Sequence, residues 1–180
     1  MNPRITKDID FLGIALNNDG PELVNIFKTI VLHPCDDALS YDANAISFET
    51  IKEDADYEGL RLIIPCCLDK HEKKLQVDIG FGDKVYPDFK MAPYPSLLSD
   101  ESIAMNTYPV ESVIAEKLEA MIKLSFLNSR LKDYFDLYFI AENIPIAGEA
   151  LKKAIQLTFS HRKTRLDKKP VIFSLDFYQD

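Results

Sequence analysis

The strongest constraint on the fold is a pair of apolar runs, Leu60 to Leu68 and Leu75 to Phe81, joined by the polar link Asp69-Lys70-His71-Glu72-Lys73. Two apolar runs separated by a short polar link form the pattern of a β-hairpin. In the second run Leu75, Val77, Ile79 and Phe81 fall on one side and Asp78 on the other, the alternation of a strand with one buried face. A hairpin with a buried face needs further elements to cover it.

Those elements can be read on either side. Lys7 to Leu12 alternates, with Ile9 and Phe11 on one face and Asp8 and Asp10 on the other, and Ala45 to Ile51 is a further strand candidate. Between them a turn cluster, Asn17-Asn18-Asp19-Gly20-Pro21, precedes a helical spacing of Leu23, Ile26, Phe27 and Ile30. From Val85 to Pro109 four prolines (Pro87, Pro93, Pro95, Pro109) predict an extended crossing segment or linker. Beyond it Ile114, Leu118, Met121 and Ile122 make one helical stripe, and further helices are expected over 130–141 and 150–159. The expected class is α+β: a small mixed sheet in residues 1–108, then a helical portion in 109–180.

Composition narrows the function. An apolar fraction of 47% with eleven Phe supplies a packed core. No apolar run approaches the roughly 20 residues that span a bilayer, and Met1-Asn2-Pro3-Arg4 lacks the apolar core of a signal peptide, so a cytoplasmic protein is expected. Three cysteines without paired spacing are no disulfide framework, and a zinc site at His33, Cys35 and Asp36/Asp37 lacks a second ligand pair. The formal charge of −8 argues against binding nucleic acid over the whole surface. Within 151–170, however, seven basic residues face one acidic residue, a net +6 that leaves −14 for the remainder. That asymmetry fits a local RNA contact as well as a solvated helix and loop.

The chemistry-bearing residues begin with Asp8 and Asp10. Carboxylates at i and i+2 of a strand share a face, with roots about 6–7 Å apart, so both can reach one Mg²⁺ or a pair of them. Phosphoryl and nucleotidyl transfer use such an oxygen-only shell, commonly with a third carboxylate on a neighbouring strand, for which Asp78 is the candidate. A solvated strand face is the competing explanation of the same pattern. Lys117, at the edge of the helical stripe, either snorkels or meets a phosphate. Lys132 and Asp136 are spaced for an i,i+4 pair on the following helix.

Four segments taken together carry a resemblance. They are Arg4-x-Thr6-Lys7-Asp8-Ile9-Asp10-Phe11; Gln76-Val77-Asp78-Ile79-Gly80-Phe81-Gly82-Asp83; Tyr108-Pro109-x-Glu111-x-Val113-Ile114-Ala115-Glu116-Lys117-Leu118-Glu119-Ala120; and Asn128-Ser129-Arg130-x-Lys132-Asp133-x-x-Asp136-Leu137. Their order and spacing resemble the AbiEii/AbiGii (MenT-like) family of nucleotidyltransferase toxins, from about Pro3 to about residue 175. The resemblance implies a polymerase-β-like core, an NTP substrate, Mg²⁺, an RNA or tRNA acceptor and an antitoxin partner. Carried over by position, it makes Asp8, Asp10 and Asp78 the metal-binding and catalytic set. It makes Lys117, Lys132, Asp133 and Asp136 the nucleotide-binding set. The glycine-rich strand–turn that holds the triphosphate in the family has no counterpart before Asp8. The alternative expectation is therefore a truncated, silent member that only binds nucleotide, RNA or protein.

Overall fold

The computed structural model describes residues 9–54, 57–95, 102–125, 131–166 and 170–174. They divide into two compact units, one ending at Asp83 and the other beginning at Lys84.

The first unit contains β1 (Ile9–Gly13), α1 (Gly20–Val31), β2 (Leu39–Tyr41), β3 (Ser47–Asp54), β4 (Tyr57–Leu68) and β5 (His71–Phe81). β4 is the spine of the sheet. It pairs antiparallel with β5 along one side and with β3 and then β2 along the other, while β1 joins the far side of β5 in parallel. The predicted hairpin is therefore present, but its turn is only Asp69-Lys70, with Asp69 in the left-handed region that an aspartate tolerates better than most residues. His71 to Lys73, read from the sequence as link, continue the strand and pair with Leu68, Cys67 and Cys66.

One face of this sheet is dry. Leu60, Leu62 and Ile64 of β4 and Val77 and Ile79 of β5 pack with Leu23 of α1 and with Ile46, joined by the partly buried Val24, Ile26, Phe27 and Val31. α1 starts where the sequence says it should. Asp19 caps it, its Oδ1 accepting from the Glu22 amide at 2.9 Å, and Pro21 occupies the first turn, where its missing N–H costs nothing. The strand expected from Ala45 begins at Ser47. Asp42 bonds the amides of Asn44 and Ala45 and folds 43–45 into a 3₁₀ turn between β2 and β3. β1 is an edge strand, and Ile9 and Phe11, beside Val77 and Ile79, are about half-buried.

In the second unit the proline-rich stretch is not a plain linker. β6 (Lys90–Pro95) and β7 (Ser102–Thr107) form an antiparallel hairpin, a two-stranded sheet in which Pro93 and Pro95 sit on an edge strand that does not need their N–H groups. Three helices follow: α2 (Val110–Leu124), α3 (Leu131–Asn143) and α4 (Gly148–His161). α2 lies in the middle and is buried on more than the expected stripe, with Glu111, Ser112 and Glu119 enclosed alongside Ile114, Ala115 and Met121. Buried polar side chains need partners. Ser112 has two: its hydroxyl accepts from the Tyr86 amide and donates to the Tyr86 carbonyl, both at 2.9 Å. The mixed sheet and the helices make the fold α+β, as expected.

Truncating the fully buried Leu62 to Ala should lower the unfolding free energy by about 3 kcal/mol in urea titrations. Leu68→Ala, at a half-exposed site on the same strand, should cost under about 1 kcal/mol.

Candidate functional site

The face of the first sheet opposite its apolar core carries a row of charges. Glu49 on β3 is the register partner of Arg61 on β4, Arg61 of Asp78 on β5, and Asp78 of Asp10 on β1. Register partners project from the same face of a sheet, on strands about 4.8 Å apart. Four strands thus place a −, +, −, − sequence of side chains side by side. Asp10 and Asp78, expected from the sequence to share a site, are brought together. Asp8 lies outside the described residues.

Arg61 was not foreseen as part of the site. Its Nε and Nη2 donate to Asp78 Oδ1 and Oδ2 at 2.8 and 2.7 Å, the two-pronged geometry that makes an arginine–carboxylate bond strong and directional. Gln76, two residues before Asp78 and on the same face, adds its amide nitrogen at 3.3 Å to each oxygen. On the other side of the guanidinium, Arg61 Nη1 lies 3.5 Å from Glu49 Oε1. Two like charges on directly opposed residues repel, and the guanidinium beside Asp78 relieves that repulsion within the Asp10–Asp78 pair.

The second predicted cluster sits in the other unit. Lys117, on α2, donates to Asp133 Oδ1 at 2.8 Å and to Asp136 Oδ2 at 2.9 Å, both on α3. Asp133 is fully enclosed, so its charge is stabilised by this lysine instead of by water. Lys132 is exposed on α3 and forms no ion pair among the described residues; the i,i+4 partner foreseen for it, Asp136, turns to Lys117. Two residues beyond Lys117, on the other side of α2, lies a second buried group that the sequence did not single out. The completely buried carboxylate of Glu119 accepts from Arg162 Nη1 at 3.1 Å and from the Thr164 hydroxyl, tying α2 to the chain after α4.

Arg162 also approaches Glu116 at 3.9 Å, so one of the seven residues of the basic stretch is spent inside the fold. Lys152, Lys153, Lys163 and Arg165 remain exposed, with the Lys153 ammonium 4.2 Å from the centre of the Tyr86 ring. Among the described residues, His33, Cys35, Asp36 and Asp37 included, no group of three or more His, Cys, Asp or Glu is arranged to hold a metal ion. Nor, among those residues, is any helix long and apolar enough to cross a membrane.

The family model of the nucleotidyl transferase AbiEii toxin, type IV toxin–antitoxin system, matches residues 1–180. The chain belongs to the AbiEii family. This bears out the resemblance read from the four sequence segments, and it implies a nucleotide substrate and an antitoxin partner. No curated protein matches the sequence. Among solved structures, the crystal structure of JHP933 from Helicobacter pylori is similar with a TM-score of 0.48 and 16% identity, covering 98% of this chain and 83% of that one.

The tether between α2 and α3 can be tested separately from any activity. Lys117→Met, which takes the lysine's positive charge away from the enclosed Asp133 carboxylate, should cost about 3–5 kcal/mol of unfolding free energy. Lys132→Ala should stay within about 0.5 kcal/mol, read from urea denaturation of both variants.

Proposed function

We propose that this AbiEii family member is a divalent-cation-dependent nucleotidyltransferase of a toxin–antitoxin system, acting in the cytoplasm. It transfers a nucleotide from an NTP to an RNA acceptor, with tRNA the expected class. The observation that carries this reading is the register of Asp10 with Asp78, two carboxylates on adjacent parallel strands in a family of nucleotidyl transferases. Asp8 enters the reading through the sequence alone.

The donor set fits a hard cation, since carboxylate oxygens favour Mg²⁺ over soft metals. Asp10 and Asp78, with Asp8, would hold it; when bound, it would supply charge neutralisation for the triphosphate and for the leaving pyrophosphate. The protein's own part is positioning. Arg61 and Gln76 fix the plane of the Asp78 carboxylate, so that its direction does not have to be found at the moment of reaction. In the other unit, Asp133 and Asp136 take two of the three donors of the Lys117 ammonium. The remaining donor, together with Lys132, is assigned to the nucleotide phosphates. The exposed basic side chains of 151–170 are assigned to the acceptor backbone, where phosphate contacts give affinity without sequence choice.

One observation favours a silent, binding-only member: both oxygens of Asp78 already accept hydrogen bonds from Arg61 and Gln76. Turnover distinguishes the two. Incubation with labelled NTPs, Mg²⁺ and total tRNA should transfer label, and Asp10→Asn should reduce the rate about a thousandfold, roughly 4 kcal/mol of transition-state stabilisation, with an unchanged circular dichroism spectrum. Folded wild-type protein that binds NTP or tRNA yet transfers no label with any of the four nucleotides would leave the binding-only function standing.

A further inference from the structure

Each oxygen of the Asp78 carboxylate already has two donors, one from Arg61 and one from Gln76. An ionised carboxylate offers about four lone-pair positions in all, so no unclaimed direction is left for another strong electrophile. The side chain is also only 15% exposed, which limits its freedom to turn away from these donors. A cation that uses Asp78 therefore has to displace something. The weaker of the two contacts is the amide at 3.3 Å, but the guanidinium is the positive charge, and a divalent ion repels it directly.

The row offers the guanidinium a place to go. Glu49 lies on the opposite side of Arg61, with its Oε1 3.5 Å from Nη1 and a side chain 61% exposed that can rotate to meet it. Arg61 thus stands between two carboxylates in one cross-strand row, held tightly by Asp78 and loosely by Glu49.

Building on the proposed metal-dependent function, we infer that Arg61 is a positioning residue that exchanges partners. It holds Asp78 while no divalent cation is bound, and it passes to Glu49 when Asp78 takes up the cation. The exchange involves no bond making or proton transfer; one charge-assisted hydrogen-bonded pair is replaced by another. Arg61 offsets the repulsion between the adjacent Asp10 and Asp78 carboxylates until a cation binds, and it sets the cation affinity by competing for Asp78.

The full-length chain can be titrated with Mn²⁺, with free Mn²⁺ counted by electron paramagnetic resonance, for wild type, Arg61→Gln, Arg61→Lys and Glu49→Gln. Removing the competing charge in Arg61→Gln should tighten Mn²⁺ binding about tenfold, the scale of repulsion between +1 and +2 charges about 5 Å apart in a wet site. Arg61→Lys, which keeps the charge without the fork, should fall between the two, and Glu49→Gln, which removes the second partner, should weaken binding. Unchanged or weaker Mn²⁺ binding by folded Arg61→Gln would overturn the exchange and leave the metal site intact. No Mn²⁺ binding by wild type or by any variant would instead overturn the metal-dependent function on which it rests. A readout on the wild-type chain does not depend on any variant folding: the Arg61 Nε–H resonance, assigned by its loss in Arg61→Lys, should move on addition of Mg²⁺. A resonance that stays in place while Mn²⁺ binds contradicts the exchange.

Discussion

The two-residue turn at Asp69-Lys70 decides which residues of β4 and β5 face one another, and much of the first unit depends on that choice. Seven residues back from Leu68 is Arg61, and seven on from His71 is Asp78, so the turn makes these two opposite neighbours. The same register sends Leu60, Leu62, Val77 and Ile79 to the face covered by α1. Shifting the pairing by one residue would turn the charged face inward and the apolar face outward. Core and candidate site are therefore specified by one pairing, seen from its two sides. A bidentate bond between Arg61 and Asp78 adds directional preference to a register that burial already favours.

The second unit uses charge differently. α2 is enclosed by its neighbours, and three of the polar residues it carries inward are matched by a group on another element: Lys117 by α3, Glu119 by the chain after α4, Ser112 by the backbone at Tyr86. Such pairs add little net stability over well-packed apolar side chains, but a broken one is costly, so they act as selectors of a single arrangement of helices. The A-E-K-L-E-A segment looked from the sequence like a nucleotide contact. In the fold, two of its three charged residues are committed to fastening α2 to α3 and to the segment beyond α4. A binding role for Lys117 has to operate from within that fastening.

The α+β class, the hairpin, the four helices and the pairing of Asp10 with Asp78 were legible because alternation and helical spacing survive in a single sequence. What was missed has a common cause. The β6–β7 hairpin was hidden by prolines, which exclude a central strand but not an edge strand. β2 is three residues long, too short for alternation to register. Arg61 looked like an interruption of an apolar run, since its role depends on the strand opposite; reading the link as five residues instead of a two-residue turn concealed that it faces Asp78. Glu119 and Arg162 are 43 residues apart, and no local pattern announces a pair at that separation. Local periodicity shows which face a residue occupies; the identity of its partner belongs to tertiary structure.

The row Glu49–Arg61–Asp78–Asp10 also has a sum. Three carboxylates and one guanidinium leave two units of negative charge, the equal and opposite of one doubly charged cation. A nucleoside triphosphate approaching this face alone meets an electrostatic deficit, because its own charge has the same sign. In the proposed reaction the row would be neutralised by a dication that arrives first or travels with the nucleotide. Under the proposed function, that balance would favour a metal–nucleotide complex over the bare nucleotide before any side chain touches the base.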